Sequence, residues 1–259
     1  LKARAAVTNV PRVTAGKRVA LMPGCVQQTL APSIDAAIQR VLARRDMGTV
    51  KLEGCCGALS HHLGRTGEAK AHARAVIERF EAIGAVDAVS IGATGCSAHI
   101  ADMPHLFAGD PVWEPRARAF AAKLRDFSSL AEPRAGSGKL RVAWQAPCSM
   151  QNSLGNAGAG RALLEAAGFD VADIPEGHLC CGSAGSYSLL QPEIAGALRS
   201  RKLANTRAIA PGVIATANIG CLIHLSGEDA PPIVHLAELI DWAEGGPKPA
   251  VLDQTRGAD

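Results

Sequence analysis

Two pairs of adjacent cysteines, each followed by a glycine, constrain this chain of 259 residues more than any other feature. Each pair belongs to a set of four. The sets are Cys25, Cys55, Cys56 and Cys96 in the first half, and Cys148, Cys180, Cys181 and Cys221 in the second. In both sets, 39 residues separate the pair from the last cysteine, and 29 or 31 residues separate it from the first. All eight cysteines fit this repeated pattern, so scattered buried thiols do not explain it.

The chemistry of these sets favours metal binding over disulfides. Adjacent cysteines rarely bridge each other, because disulfide geometry requires Cβ atoms that face one another from separate positions. Iron–sulfur clusters are most often held by four thiolates that loops bring together. Structural zinc sites usually pair their cysteines two to four residues apart, and that short spacing is absent. We therefore expect an iron–sulfur cluster at one site at least, with zinc at both sites, or one site of each kind, as the alternatives.

The two halves are related by duplication. The second cysteine set follows the first at an offset of 123 residues for its first member and 125 residues for the other three. A histidine lies three positions after the last cysteine of each set, at His99 and His224. Their equivalent positions make both histidines candidate additional ligands, although an ordinary histidine on a helix face is the plainer interpretation. His61 and His62, close behind Cys56, are candidates for moving protons.

Short apolar runs alternate with amphipathic stretches in both halves, which predicts parallel α/β units. We predict strands at 19–22, 50–52, 86–92, 142–145, 171–174 and 213–217, with helices between them at 34–42, 76–83, 162–167 and 193–205. Cys25, Cys96, Cys148 and Cys221 follow the carboxyl ends of predicted strands, where ligands of open α/β sheets gather. The sequence therefore predicts that each cysteine set converges at one edge of a sheet.

Composition suggests where the domains begin and end. The Gly-, Pro- and Ser-rich segment Glu132–Lys139 predicts a linker, and Arg116–Leu130 reads as one helix leading into it. We expect a first domain at 17–131 and a second at 139–245. Residues 1–16 and 246–259 are expected to be terminal tails.

Bulk properties exclude several functions. The net charge is only +3, and no basic stripe with interleaved aromatic residues occurs, so we expect no nucleic-acid partner. No run of about 18 apolar residues predicts a membrane span. Leu1–Pro11 lacks a signal-peptide layout. Eight cysteines in such a chain favour a reducing compartment, so we expect a cytoplasmic location.

Five strings resemble a known family. They are Met22–Gln27 (MPGCVQ), Gly54–His62 (GCCGALSHH), Leu179–Gly185 (LCCGSAG), Leu189–Glu193 (LLQPE) and Asn218–Cys221 (NIGC). They are similar to the cysteine-rich CCG-domain family, which occurs twice in one of the subunits of heterodisulfide reductase and in iron–sulfur subunits of flavin-linked dehydrogenases. Within it the chain most resembles the iron–sulfur subunits of glycolate oxidase (glycolate dehydrogenase), over about residues 17–245. The resemblance implies an α/β fold of two Rossmann-like parallel-sheet CCG domains, duplicated in tandem and related by a pseudo-two-fold.

The resemblance also implies a role. An FAD-containing dehydrogenase subunit would oxidise glycolate, and this chain would accept the electrons and pass them toward a membrane quinone. Its catalytic residues are unknown, because electron transfer does not require the substrate to touch it. The family implies a ferredoxin-like module, supplied by a longer chain or a separate subunit. The weak net charge and the missing apolar span predict at most peripheral attachment to the inner face of the membrane through partners. Lactate or glycerol-3-phosphate dehydrogenases, heterodisulfide reductase-type complexes and a zinc-stabilised scaffold remain alternatives.

The chain departs from the fullest family motif at one position in each half. In the family, that motif ends in Cys-x-x-Cys and supplies five thiolates to a noncubane [4Fe–4S] cluster, whereas His99 and His224 occupy the last position here. The departure leaves open an ordinary four-thiolate cluster or one that uses histidine, which would raise its reduction potential.

Overall fold

Two parallel β-sheets form the framework of the protein, whose computed structural model describes residues 16–253. The strands are β1 Lys17–Leu21, β2 Met47–Lys51 and β3 Ala88–Ser90 in the first half, and β4 Arg141–Gln145, β5 Asp170–Asp173, β6 Val213–Thr216 and β7 Ile233–His235 in the second. The strand orders are β2-β1-β3 and β5-β4-β6-β7, and all neighbours are parallel. One topology is thus used twice, with an added strand in the second half, which confirms the predicted tandem duplication of Rossmann-like parallel-sheet units.

Helices connect the strands and cover the sheets. In the first half they are α1 Cys25–Leu30, α2 Ser33–Ala43, α3 Ala58–His62, α4 Thr66–Ile83, α5 Thr94–Leu106, α6 Trp113–Ala122 and α7 Phe127–Leu130. In the second half they are α8 Ala157–Ala166, α9 Tyr187–Leu190, α10 Pro192–Ala208, α11 Ile219–Leu225 and α12 Leu236–Ala243. A π-helical turn lies at Met150–Leu154 and a 3-10 turn at Ala250–Leu252.

The core is aliphatic, as a chain with 47% apolar and 3% aromatic residues requires. The central strand β1 is buried at Val19, Ala20 and Leu21, because helices cover both faces of a parallel sheet. Helix α2 turns an apolar stripe inward that includes Ile34 and Ile38. Each such buried side chain contributes about 1.5–3 kcal/mol through removal of apolar surface from water.

The prediction of one helix over Arg116–Leu130 is wrong. Helix α6 ends at Ala122, and Leu124 then forms a parallel bridge with Val89 of β3. The bridge is held by hydrogen bonds from the Val89 N–H to the Lys123 carbonyl and from the Arg125 N–H to the Val89 carbonyl. These bonds to the sheet replace the next helical turn, and Leu124 occupies the place that β7 holds in the second half.

Charged side chains join the two halves where α2 packs against α12. The Asp241 side chain is only 1% exposed. Arg40 contacts its Oδ2 atom and Arg44 its Oδ1 atom, each at 2.6 Å. Arg45 forms a further pair with Glu244 at 2.6 Å. Because the carboxylates are nearly shielded from water, their ion pairs with arginine are needed to offset the cost of burying the charge.

The structure describes the whole of the predicted linker and part of the predicted tails. Glu132–Lys139 forms neither helix nor strand. Of the predicted tails, residues 1–15 and 254–259 lie outside the described residues, whereas 246–253 are described and include the 3-10 turn at Ala250–Leu252. Within 16–253, no helix combines the length and the hydropathy that crossing a bilayer requires.

The Asp241 cluster makes a stability prediction. Asp241→Ala removes the buried carboxylate that both Arg40 and Arg44 contact, so the free energy of unfolding should fall by about 3–5 kcal/mol. The control is Arg118→Ala, which breaks an exposed pair with Glu114 one helical turn away and should cost about 0.5 kcal/mol. Urea unfolding of both variants measures the difference, and similar losses would contradict the role given to Asp241.

Candidate metal centres

The first cysteine set gathers at the carboxyl edge of the first sheet. Cys25 begins α1 just after β1, and Cys96 lies in the first turn of α5 after β3. Cys55 and Cys56 lie in the loop between β2 and α3. The loops that follow these three neighbouring parallel strands therefore lie close together. The chain continues from β1 to β2 on one side and then to β3 on the other, and ligands of such sheets bind at this switch point.

The second set repeats this placement. Cys148 follows β4 at the start of a helical turn, and Cys221 lies in α11 after β6. Cys180 and Cys181 lie in the loop between β5 and α9. The equivalence of the two placements follows from the repeated strand order.

Within each set the sulfurs touch. The Sγ atoms of Cys25 and Cys55 are 3.9 Å apart, and contacts continue from Cys55 to Cys56 and on to Cys96. The second set forms the same chain of contacts, in the order Cys148, Cys180, Cys181 and Cys221. Its Cys181 and Cys221 Sγ atoms are 3.2 Å apart. Neither set is spread over unrelated environments.

Some thiols ionise more readily than their neighbours, because hydrogen bonds to sulfur lower the pKa of Cys55 in the first half and of Cys180 and Cys221 in the second. The pKa of Cys55 is lowered because Cys25 and Cys56 hydrogen-bond to its sulfur, and the Gly57 N–H adds a further bond. The pKa of Cys180 is lowered in the same way by Cys148, Cys181 and the Gly182 N–H. The thiolate is the form of cysteine that binds metals, so each set contains a ligand that is readily deprotonated.

The glycines after the cysteine pairs have a steric cause. Gly57 and Gly182 have φ values of 84° and 98°, and their N–H groups lie 3.4 and 3.3 Å from the sulfurs of Cys55 and Cys180. A Cβ at Gly182 would lie 2.5 Å from the Ala195 carbonyl oxygen. Only glycine combines this conformation with so close an approach.

Each set forms part of the wall of a cavity at the junction of the halves. The cavity beside the first set measures about 650 Å³ and the one beside the second about 960 Å³. Cys25, Cys55, Cys56 and Cys96 line the first cavity, and Cys148, Cys180, Cys181 and Cys221 line the second. The two cavities share a wall made of His62, Gly95, Ser183, Gly185, Ser186 and Asn218.

Each of the two candidate histidine ligands lines the cavity of the other half's cysteine set. His99 lines the cavity of the second set, and His224 lines the cavity of the first. The Nε2 atom of His99 is buried without a hydrogen-bond partner, and burial together with His61 and His62 lowers its pKa to about 4. His99 is therefore neutral near pH 7, the form that binds metals. The Nε2 atom of His224 instead lies 3.2 Å from the Ala195 carbonyl oxygen.

A group of three imidazoles faces the second set. The ring centres of His61 and His99 are 5.3 Å apart, and His62 lies 6.4 and 6.3 Å from them. All three line the larger cavity. The sequence singled out each histidine by its place after a cysteine. It did not show that the three rings lie together beside the second cysteine set.

Two polar features near the cysteines were not predicted from the sequence. The Asn218 side-chain amide lies 3.8 Å from the Cys221 sulfur, whereas alanine, Ala93, occupies the equivalent place in the first half. Gln27 is fully buried beside the first set and donates from Nε2 to Asp35 at 2.6 Å. Burial raises the pKa of Asp35 to about 6 despite that hydrogen bond. Gln27 and Asn218 stand in strings that carry the family resemblance, but the sequence does not show which side chains they contact.

The cysteine sets fit iron–sulfur clusters by donor chemistry and convergence. Four thiols meet at each sheet edge, glycine N–H groups point at sulfur, and a cavity adjoins each set. Among residues 16–253, however, no three His, Cys, Asp or Glu side chains have the geometry that would hold a metal ion. The fit therefore rests on the type and proximity of the donors rather than on a preformed coordination geometry.

Comparison with known proteins gives two kinds of match. The model of the cysteine-rich domain family CCG matches residues 19–101 and 142–226, once in each half. The glycolate oxidase iron-sulfur subunit of Escherichia coli is 34% identical over 88% of this chain and 58% of its own length. The probable glycolate oxidase iron-sulfur subunit of Bacillus subtilis is 35% identical over 88% of this chain and 55% of its own length. The chain thus spans somewhat more than half the length of these relatives.

A shorter relative is spanned almost completely. Lactate utilization protein A of an Exiguobacterium species is 30% identical over 86% of this chain and 96% of its own length. That protein therefore corresponds in extent to the two repeated halves described here.

The glycine after the second cysteine pair makes a prediction. Gly182→Ala places a Cβ against the Ala195 carbonyl in a backbone conformation that alanine avoids, so it should destabilise the protein by about 1–3 kcal/mol. Gly196→Ala, in helix α10 with open space around the added Cβ, should instead stabilise it by about 0.5–1 kcal/mol. Urea midpoints of both variants test this, and effects of the same sign would refute the steric explanation.

Proposed function

The chain belongs to the cysteine-rich CCG-domain family, and on that premise we propose that it is the iron–sulfur electron-transfer component of a flavin-linked glycolate dehydrogenase. The observation that carries the proposal is the convergence of four thiols at the carboxyl edge of each of two parallel sheets. Thiolate sets of this kind hold redox centres in proteins.

Each half contributes one centre in this proposal. The domain 17–131 would hold a cluster through Cys25, Cys55, Cys56 and Cys96, and the domain 139–245 would hold one through Cys148, Cys180, Cys181 and Cys221. His99 and His224 are candidate additional ligands. The unpartnered Nε2 of His99 favours that residue, whereas the hydrogen bond of His224 to Ala195 occupies one of its ring nitrogens.

When bound, iron–sulfur clusters take up and release single electrons. The residues of this chain would hold each cluster, keep water from it and adjust its potential. Buried Cys56, Cys181 and Cys221 place sulfur away from solvent. Hydrogen bonds to the sulfurs adjust the potential, and they come from Gly57 in the first half and from Gly182 and Asn218 in the second.

Partners complete the proposed reaction. An FAD-containing subunit would oxidise glycolate, a ferredoxin-like module would add further clusters, and electrons would leave toward a membrane quinone. The identity of 34–35% to glycolate oxidase iron-sulfur subunits supports this choice of substrate. Those relatives extend well beyond the part that this chain matches, which leaves room for such a module in them.

Lactate is the second candidate substrate, because the chain spans 96% of a lactate utilization protein A. Capture of the flavoprotein partner from the native host and assay of the complex with both acids would decide. We expect faster reduction of an artificial electron acceptor with glycolate than with lactate. The opposite order would transfer the assignment to lactate, and activity with glycerol 3-phosphate alone would exclude both.

Metal analysis separates electron transfer from a zinc-stabilised scaffold. Anaerobically purified protein should contain iron and acid-labile sulfide, and its visible absorbance should decrease on addition of dithionite. Colourless protein with stoichiometric zinc and no sulfide would reject the electron-transfer function.

Substitution of one buried cysteine in each half tests whether the two centres are independent. Cys181→Ser should remove about half of the bound iron and sulfide, because its contacts lie within the second set. The reciprocal variant, Cys56→Ser, should remove the other half, and circular dichroism establishes that both remain folded. Complete loss of iron from either folded variant would contradict two separate sites.

A further inference from the structure

One lysine is buried beside the second cysteine set. Lys202 lies on the face of α10 that packs against the loop carrying Cys180 and Cys181, and it is only 2% exposed. Its Nζ donates hydrogen bonds to the carbonyl oxygens of Glu176 and Gly177, at 3.3 and 3.4 Å. Both carbonyls belong to the same loop, so the backbone just before the second cysteine pair holds the lysine in place.

The surroundings of Lys202 suit its positively charged form. An ammonium group has three N–H donors and no acceptor, and backbone carbonyl oxygens are fitting partners for it. Burial lowers the pKa of Lys202, whereas Cys181, Cys180 and Cys221, as thiolates, raise it. To the hydrogen bonds that lower the pKa of Cys180, Lys202 adds the attraction of its charge. Because water is largely excluded here, this mutual attraction is stronger than it would be at the surface.

An aliphatic side chain takes the equivalent place in the first half. The carbonyl oxygens of Ala69 and Ala195 mark the same point in the two halves, because each lies against the glycine that follows its cysteine pair. Seven positions later stand Val76 in α4 and Lys202 in α10. Val76 is fully buried. The repeat therefore places a buried charge beside the second cysteine set and an apolar side chain beside the first.

This difference makes the two proposed centres unequal. An iron–sulfur centre becomes more negative when it accepts an electron, so a nearby cation stabilises the reduced form and raises its reduction potential. The contact of Asn218 with the Cys221 sulfur acts in the same direction and in the same half. The glycine N–H groups point at sulfur in both halves and do not distinguish them. His72 acts on Cys55 of the first set, but it is exposed, so water and salt screen its charge.

We propose that Lys202 sets the order of the two centres by holding the reduction potential of the second above that of the first. This inference rests on the proposed electron-transfer function. One electron leaves the first centre, which is oxidised, and the same electron reduces the second; no bond forms or breaks and no proton is transferred. The first half is then the side that receives electrons from the reduced flavin of the partner, and the second half is the side from which they leave.

Redox titration of the iron-loaded protein, followed by electron paramagnetic resonance, tests this order. Two one-electron steps should appear, and Cys181→Ser should abolish the step at the higher potential. Lys202→Met keeps an unbranched side chain but removes the charge. It should shift the reduction equilibrium of the higher step at least about tenfold toward the oxidised form, equivalent to about 59 mV for one electron. The lower step should stay within about twofold of its original equilibrium and serves as the internal control.

Two further variants separate the charge of Lys202 from its packing. Lys202→Arg retains the charge and should keep the higher step within about threefold of the unchanged protein. Lys139→Met removes an exposed lysine from the same half and should leave both steps in place, because a charge at the surface is screened. A shift in Lys202→Arg as large as that in Lys202→Met would show that the lysine acts through packing, and it would overturn the proposal.

The order of the steps in otherwise unchanged protein decides the proposal even where Lys202→Met loses its second centre. Disappearance of the lower step in Cys181→Ser would overturn it, and so would equal movement of both steps, or of neither, in iron-loaded Lys202→Met. Each of these results comes from iron-loaded, reducible protein and leaves electron transfer by the chain standing. Protein without iron and acid-labile sulfide would instead reject the proposed function itself.

Discussion

The meeting of four sulfurs at the carboxyl edge of each sheet is the constraint on which the rest of the structure depends. Cys25 and Cys96 are 71 positions apart in sequence, and only the parallel pairing of β1 with both β2 and β3 brings their loops together. The thiols are partly or fully removed from water. In each set, hydrogen bonds between the thiols lower the pKa of at least one member, and the sulfurs are the donor atoms that soft metals prefer.

Duplication places the two cysteine sets on the same fold. The residues where the two halves meet make the surroundings of the two sets different. Helices α2 and α12 are joined by charged pairs around Asp241, so the halves have a fixed relation. Each half then completes the cavity of the other: His99 faces the second set, while Leu189 lines the cavity of the first. Because these crossing residues differ between the halves, the two cavities have different linings although the central strand order is the same.

The sequence predicted the features that depend on local pattern. The cysteine spacing, the strands near β1 and β4 and the helical stripe of α2 all have strong local signals, since apolar periodicity and glycine placement are short-range properties. The features that the sequence did not predict depend on contacts between residues that are far apart in the chain. Arg116–Leu130 has a helical composition, but its middle pairs with β3, 35 positions from Leu124. The three-residue strand β7 is too short for a periodic signal, and the contact between Asn218 and Cys221 requires the folded loop.

The most direct test of the central claim is anomalous X-ray scattering at the iron edge from crystals of the anaerobically prepared protein. The account predicts two separate iron centres, one bonded to the sulfurs of Cys25, Cys55, Cys56 and Cys96 and the other to those of Cys148, Cys180, Cys181 and Cys221. Anaerobic crystals without an iron signal at either set, or with iron bound away from these sulfurs, would contradict it.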